Sequence, residues 1–207
     1  MVFADRADAG RKLASRLVQF GQPDTLVLGL PRGGVPVAYE VAVALHVPLD
    51  VFLVRKLGVP HHEELAMGAI ASGGIRVVNR AVIDELGIPD EVVNAVAATE
   101  QVELERRERL YRAQRAPLEV RHKLVIVIDD GLATGSSMRA AVAALRQREP
   151  RGIIVAVPVA APTTCASLRH EVEAIVCVIM PEAFLGVGAW YADFSQTTDE
   201  EVRALLT

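Results

Sequence analysis

Asp129 and Asp130 are adjacent carboxylates that directly follow Leu124-Val125-Ile126-Val127-Ile128. Five apolar, mostly β-branched residues in a row spell a strand buried on both faces. After the acids comes Gly131-Leu132-Ala133-Thr134-Gly135-Ser136-Ser137, small and rich in hydroxyls, and then a helical pattern. In an open parallel sheet, ligands bind beyond the carboxyl ends of the strands. A Gly/Ser/Thr loop entering a helix offers backbone N–H groups and the positive end of the helix dipole to an anion. Carboxylates do not attract phosphate; they bind sugar hydroxyls, or a metal that touches the ligand. A sugar phosphate suits both halves of this segment.

The run from Val125 to Ser137 resembles the 5-phosphoribosyl-1-pyrophosphate (PRPP) motif of type I phosphoribosyltransferases: apolar strand, two acids, two variable residues, then a small hydroxyl loop. The resemblance implies that Asp129 and Asp130 face the ribose. It implies that Ala133, Thr134, Gly135, Ser136 and Ser137 cradle the 5'-phosphate. Mg²⁺ is the implied cofactor, reached by Asp129 and Asp130 through ribose hydroxyls or water. The implied reaction displaces pyrophosphate from C1 of PRPP by a ring nitrogen of a small nucleobase-like acceptor, a step of nucleotide metabolism.

Other segments take roles under the same resemblance. Leu30-Pro31-Arg32-Gly33-Gly34 follows a strand and opens a helix, where glycines permit close backbone approach to a ligand. It looks like the family's pyrophosphate loop, with Arg32 lending charge. Arg55-Lys56 is expected to end the second strand, where one of two adjacent side chains points to the crevice; the family pattern selects Lys56. Residues 69–74 are expected to form a lid-like loop, and Glu63 or Glu64 could act as acid or base on the acceptor. Pro181-Glu182-Ala183-Phe184-Leu185-Gly186 is similar to a segment of the 6-oxopurine enzymes, making Phe184 the candidate ring that stacks on the base. Those enzymes carry an acid in the phosphate loop where this chain has Ala133. Leu132-Ala133-Thr134-Gly135 is closer to the adenine enzymes, and the acceptor stays open.

The elements that must position these residues follow from periodicity. Helices are expected over 7–20, 35–45, 138–148, 163–170 and 198–206, and strands over 25–30, 50–54, 123–128, 153–157 and 174–179. Alternating strands and helices predict an α/β fold, a doubly wound, mainly parallel sheet. A helical insertion at about 57–122 interrupts the rhythm, and a small C-terminal hood is expected from about 158–197, all within a single domain over 1–207. In the insertion, Glu91 to Arg115 reads as a helix with Glu-to-Arg i,i+4 pairs and one apolar seam, Ala97, Leu104 and Tyr111. That seam suits packing on the domain, a dimer contact or an arm over the site; a homodimer is expected.

Composition narrows the class. With 51% hydrophobic but only 4% aromatic residues, the core must be Val, Leu, Ala and Ile, as in a helix-covered parallel sheet. A net charge of −4, with Arg106 to Arg115 interleaved by Glu, gives no nucleic-acid footprint. His61-His62-Glu63-Glu64 lacks metal-ligand spacing and reads as loop. Cys165 and Cys177 show no CxxC spacing and read as small buried hydrophobes. The start, Met-Val-Phe-Ala-Asp-Arg, is not a signal-peptide pattern, and the run 152–162 is too short to span a bilayer, so a cytoplasmic protein without a membrane partner is expected. There is no GxGxxG and no Walker A. The alternative to a transferase is a regulatory protein that binds PRPP or a nucleotide without turnover.

Overall fold

The computed structural model describes residues 2–112 and 119–207, with the side chains of Glu63 and Glu64 outside that description. Among these residues, five parallel strands form one sheet: β1 (Thr25–Gly29), β2 (Leu49–Val51), β6 (Leu124–Ile128), β7 (Gly152–Val159) and β8 (Ala174–Ile179), in the order β2-β1-β6-β7-β8. Every residue of β1, β6 and β7 is buried. That is why these segments read as unbroken apolar runs. Helices α1 (Arg6–Leu17) and α2 (Gly34–Leu45) cover one face, where Leu13, Leu17, Val37 and Val41 meet Val27, Ile126 and Ile154. On the other face, α5 (Ser136–Arg146) sets Met138, Ala141, Val142 and Leu145 against Leu28, Val125, Val127 and Val155. The fold is therefore α/β with a doubly wound parallel sheet.

Register decides what emerges where. Val51 pairs with Gly29, Gly29 with Ile128, and Ile128 with Ala156, so four adjacent strands run level at this row. Leu30 and Asp129 are the next residues, and they leave neighbouring strands side by side. The two loops singled out by their residue types therefore start from adjacent points on the carboxyl edge.

The insertion departs from the expected form. It holds α3 (Arg80–Glu85) and the long α4 (Asp90–Arg112), but also an antiparallel sheet of β3 (Val54–Val59), β4 (His62–Ala71) and β5 (Ile75–Val78). Residues 62–71, partly read as loop, are thus a strand, and Ala71 to Ile75 turn a tight hairpin through Gly73 and Gly74, both at positive φ. The lid-like reading of 69–74 is corrected on this point. Ser72 is fully buried: its Oγ accepts from Leu53 N–H at 3.0 Å, and its carbonyl accepts from Arg148 at 2.7 Å. The second parallel strand also ends earlier than expected, at Val51, so Arg55 and Lys56 belong to β3.

Helix α4 buries Val93, Ala97, Leu104 and Tyr111, extending the seam read from sequence by one residue. These residues meet Leu57, Met67 and Ile70 of the small sheet and Val202 and Leu206 of α7 (Asp199–Leu206). The seam is thus filled within the chain. Arg112 at the helix end reaches Asp50 of β2 at 3.0 Å, with both side chains almost wholly buried. Arg115 lies outside the described residues. The remaining described α-helices are α6 (Pro162–Leu168), with its proline in the first turn, and α7, whose capping box of Thr198 and Glu201 forms as the sequence predicts. No described helix is long and apolar enough to cross a membrane.

Leu104→Ala is expected to cost about 2–5 kcal/mol in urea unfolding, as a fully buried leucine lost from packed surroundings. Val102→Ala, on the same helix but 68% exposed, is expected to stay within about 0.5 kcal/mol.

Candidate active site

At the end of β6 the chain turns sharply, and Asp130 N–H donates to the Asp129 carboxylate at 2.9 Å. Leu132 then bridges to the end of β7: it donates to Val159 O at 2.9 Å and accepts from Ala161 N–H at 2.9 Å. Buried Leu132 pins the loop at its middle. Thr164 of α6 pins the next residue, its Oγ1 donating to Ala133 O at 2.5 Å. Gly135, at φ 75°, turns the chain into α5. Ala133, Thr134, Ser136 and Ser137 are exposed, and the Thr134 and Ser136 hydroxyls stand 3.2 Å apart. First-turn amides of a helix have no intrahelical acceptor. The loop therefore presents hydroxyls and a helix start to solvent while its underside is fastened to β7 and α6.

The loop after β1 closes against this one. Leu30 N–H donates to Ile128 O at 2.8 Å, the Pro31–Arg32 peptide is cis, and Gly34 N–H donates back to Leu30 O at 3.0 Å as α2 begins. Gly33 and Gly34 lie directly on the acid pair. A Cβ on Gly33 would sit 2.0 Å from an Asp130 carboxylate oxygen; one on Gly34 would sit 2.5 Å from Ile128 O and 2.8 Å from Asp129 Cα. At Gly34 the neighbour is backbone, so no side chain fits; at Gly33 it is the Asp130 carboxylate, which a side chain would have to displace.

Asp130 is held from both chain ends. Arg6 at the start of α1 donates Nε–H to its carboxylate at 2.9 Å and Nη1–H to Ser195 O at 2.6 Å, and stacks over the Phe194 ring at 4.1 Å. Tyr191 donates its hydroxyl to Asp130 O at 2.5 Å. Burial pushes the Asp129 carboxyl well above the usual carboxylate range, and the Asp130 charge beside it adds to the rise. Burial also raises Asp130, with Arg6 pulling the other way. Burial pushes the Tyr191 phenol up as well.

The remaining candidates are placed differently. Arg32 is partly exposed and lies 3.7 Å from Asp199 of α7, whose same oxygen accepts from the Tyr111 hydroxyl at 2.5 Å. Burial first, then that aspartate, raises Tyr111 to about 12. Arg55 pairs with Glu100 of α4 at 2.6 Å, and Lys56, next along β3, is exposed. Phe184 is half-buried, packed on a cluster of Phe3, Val159 and Tyr191, while the adjacent Leu185 is 88% exposed. The side chains of Glu63 and Glu64, the acid or base candidates, lie outside the described residues. No group of three or more metal-ligating side chains occurs among the described residues. Sequence reasoning missed Arg6 and Tyr191: they lie 124 and 61 positions from Asp130, with no local signal.

Residues 61–190 match the family model of the phosphoribosyl transferase domain. The chain belongs to this family. Two Mycobacterium tuberculosis proteins, from strains H37Rv and CDC 1551, are each named "Putative phosphoribosyl transferase" and are 42% identical to it over 205 residues. That match covers 99% of this chain but 46% of theirs, so the chain spans about half the length of these relatives. The crystal structure of TT1426 from Thermus thermophilus is also 42% identical, with a TM-score of 0.91 over 100% of this chain and 98% of that one. The family match contains Asp129, Asp130 and the loop to Ser137, and begins after the Gly33-Gly34 loop.

Two outcomes follow from this geometry. Gly34→Ala is expected to cost about 1–3 kcal/mol in unfolding free energy, because its methyl meets backbone that must move away. For Asp129, a carboxyl raised in the folded state stabilises fully below the unfolded value, and this contribution is lost as pH rises through the folded value. Asp129→Asn keeps the acceptor for Asp130 N–H and removes the buried charge. Its Tm is expected to exceed that of wild type by roughly 2–4 °C at neutral pH. The gap should close as pH falls to about 4, measured by thermal melts across pH.

Proposed function

We propose that this chain is a phosphoribosyltransferase that moves the 5-phosphoribosyl group of PRPP to a ring nitrogen of a nucleobase-like acceptor and releases pyrophosphate. The single observation that carries this reading is the contact of Gly33 and Gly34 with Asp129 and Asp130, beside a hydroxyl loop at a helix start. The contact joins two anion-binding elements across an acid pair, as a ribose with phosphate groups at both ends requires.

In this mechanism, loop 133–137 holds the 5'-phosphate with its hydroxyls and the first amides of α5. Asp129 and Asp130 accept hydrogen bonds from the ribose 2- and 3-hydroxyls, which fixes C1 toward the loop of Leu30 to Gly34. As the C1–O bond to pyrophosphate breaks, positive charge grows on the ribose ring and negative charge on the leaving group. The carboxylates face the first and the Gly33–Gly34 backbone the second. Arg32, at the same loop, contributes a cation once it leaves Asp199; Lys56 is the second candidate. Catalysis is then chiefly positioning and preorganised electrostatics.

The acid pair also fits Mg²⁺. Asp129 and Asp130 would hold it, two hard carboxylate donors without a third protein ligand among the described residues, which suits a cation that keeps much of its water. When bound, Mg²⁺ neutralises charge on the leaving pyrophosphate. The hood of Phe184, Val187 and Trp190 is the proposed acceptor wall. The whole of residues 1–207 is read as one domain, with the insertion and hood built onto the parallel sheet.

The test is pyrophosphate release from PRPP and Mg²⁺ with a panel of purine and pyrimidine bases. Release with at least one base is expected, and Asp130→Asn should lower kcat/KM by roughly 30- to 1,000-fold, or about 2–4 kcal/mol in transition-state binding. PRPP binding without release for every base would replace the transferase reading with that of a non-catalytic PRPP-binding regulator.

A further inference from the structure

The two cysteines are separated in sequence but meet in the fold. Cys165 of α6 and Cys177 of β8 place their Sγ atoms 3.7 Å apart. A disulfide needs about 2.05 Å between sulfurs, so forming one must draw the Cys165 and Cys177 side chains closer together. Both thiols are free. A cleft of about 230 Å³, lined by Pro162, Cys165, Ala166, Arg169, Ile175 and Met180, opens at Cys165. This is not the inert burial that two isolated cysteines suggest.

The pair also adjoins the candidate phosphate loop. Thr164, next to Cys165, is the residue that holds Ala133 O. A Cβ on Gly135 would lie 2.7 Å from Thr164 Cγ2, so the loop rests directly on α6. Movement of Cys165 toward β8 must act on Thr164, and through it on the loop's underside.

We propose that Cys165 and Cys177 form a modification site: a dithiol that a low-molecular-weight disulfide oxidises to an intramolecular disulfide, shifting loop 133–137 through Thr164. Cys165 reacts first. The hydrogen bond from Cys177 lowers its thiol, and nearby Arg169 adds to this, whereas the Cys177 thiol is raised. The Cys165 thiolate attacks one sulfur of the small disulfide, forming a mixed disulfide and releasing one thiolate. Cys177 then gives up its proton and attacks the Cys165 sulfur, forming the internal bond and displacing the second thiolate. Two electrons pass from the protein dithiol to the small disulfide, which departs as two thiols carrying the two protons.

The test treats the folded chain with oxidised glutathione and reads two signals that do not involve PRPP, so they are independent of the proposed transferase activity. The first is peptide mass spectrometry without reduction. A Cys165–Cys177 cross-link that dithiothreitol reverses is expected, with Cys177→Ala stopping at the mixed disulfide on Cys165. The second is amide hydrogen exchange, expected to change several-fold in residues 133–137 on oxidation and to return on reduction. Absence of the cross-link in the native wild-type chain would overturn the proposal. So would a cross-link that leaves exchange in 133–137 unchanged.

Discussion

The close approach of two backbones at the carboxyl edge of the sheet is the constraint on which the rest of the site depends. Gly34 rests against the backbone of Ile128 and Asp129 at distances that exclude even a methyl group, and Gly33 beside it meets the Asp130 carboxylate. This contact exists because β1 and β6 are adjacent, run parallel and are level at Gly29 and Ile128. Slipping either strand by one residue would send each side chain to the opposite face and undo its packing against α1 and α2 on one side and α5 on the other. The chemistry-bearing loops therefore inherit their separation from the core.

The acid pair is costly to the fold. Two adjacent carboxylates lose solvation on burial, which raises both, and the Asp130 charge raises Asp129 further. The chain offsets part of this locally, through Arg6 on the Asp130 carboxylate and Tyr191 on its carbonyl. Both clamps come from the termini: α1 begins at Arg6, and Tyr191 is fixed by its ring contacts with Phe3 and Phe194, at centroid distances of 5.3 and 5.0 Å. The segments flanking the sheet thus close over the acids and hold one of them in place. An unfavourable carboxylate pair kept at the carboxyl edge of a parallel sheet is the pattern of a site that trades stability for binding.

Much of this was legible in the sequence, for identifiable reasons. β6, the loop to Ser137 and α5 are contiguous, so strand pattern, acid pair, small loop and helix start appear in order. The Thr198–Glu201 cap and the α4 seam are local as well, and both form as their spacing predicts. What was hidden is non-local. Arg6, Tyr191 and the Cys165–Cys177 approach depend on which elements the topology brings together. The small antiparallel sheet was obscured for a different reason: its strands carry Gly58, Gly68 and charged residues in a register with irregularities, so neither period stands out. Arg55 and Lys56 read as the end of the second strand because β2 is only three residues long and β3 begins after two more residues.

The measurement that tests the central claim most directly is a crystal structure of the chain with Mg²⁺ and PRPP. The account predicts the 5'-phosphate against residues 133–137, the ribose hydroxyls on Asp129 and Asp130, and the pyrophosphate over Gly33 and Gly34. PRPP seated away from the acid pair, for instance against α7 in the cleft of about 360 Å³ that Pro36, Glu201 and Leu205 help to line, would contradict it.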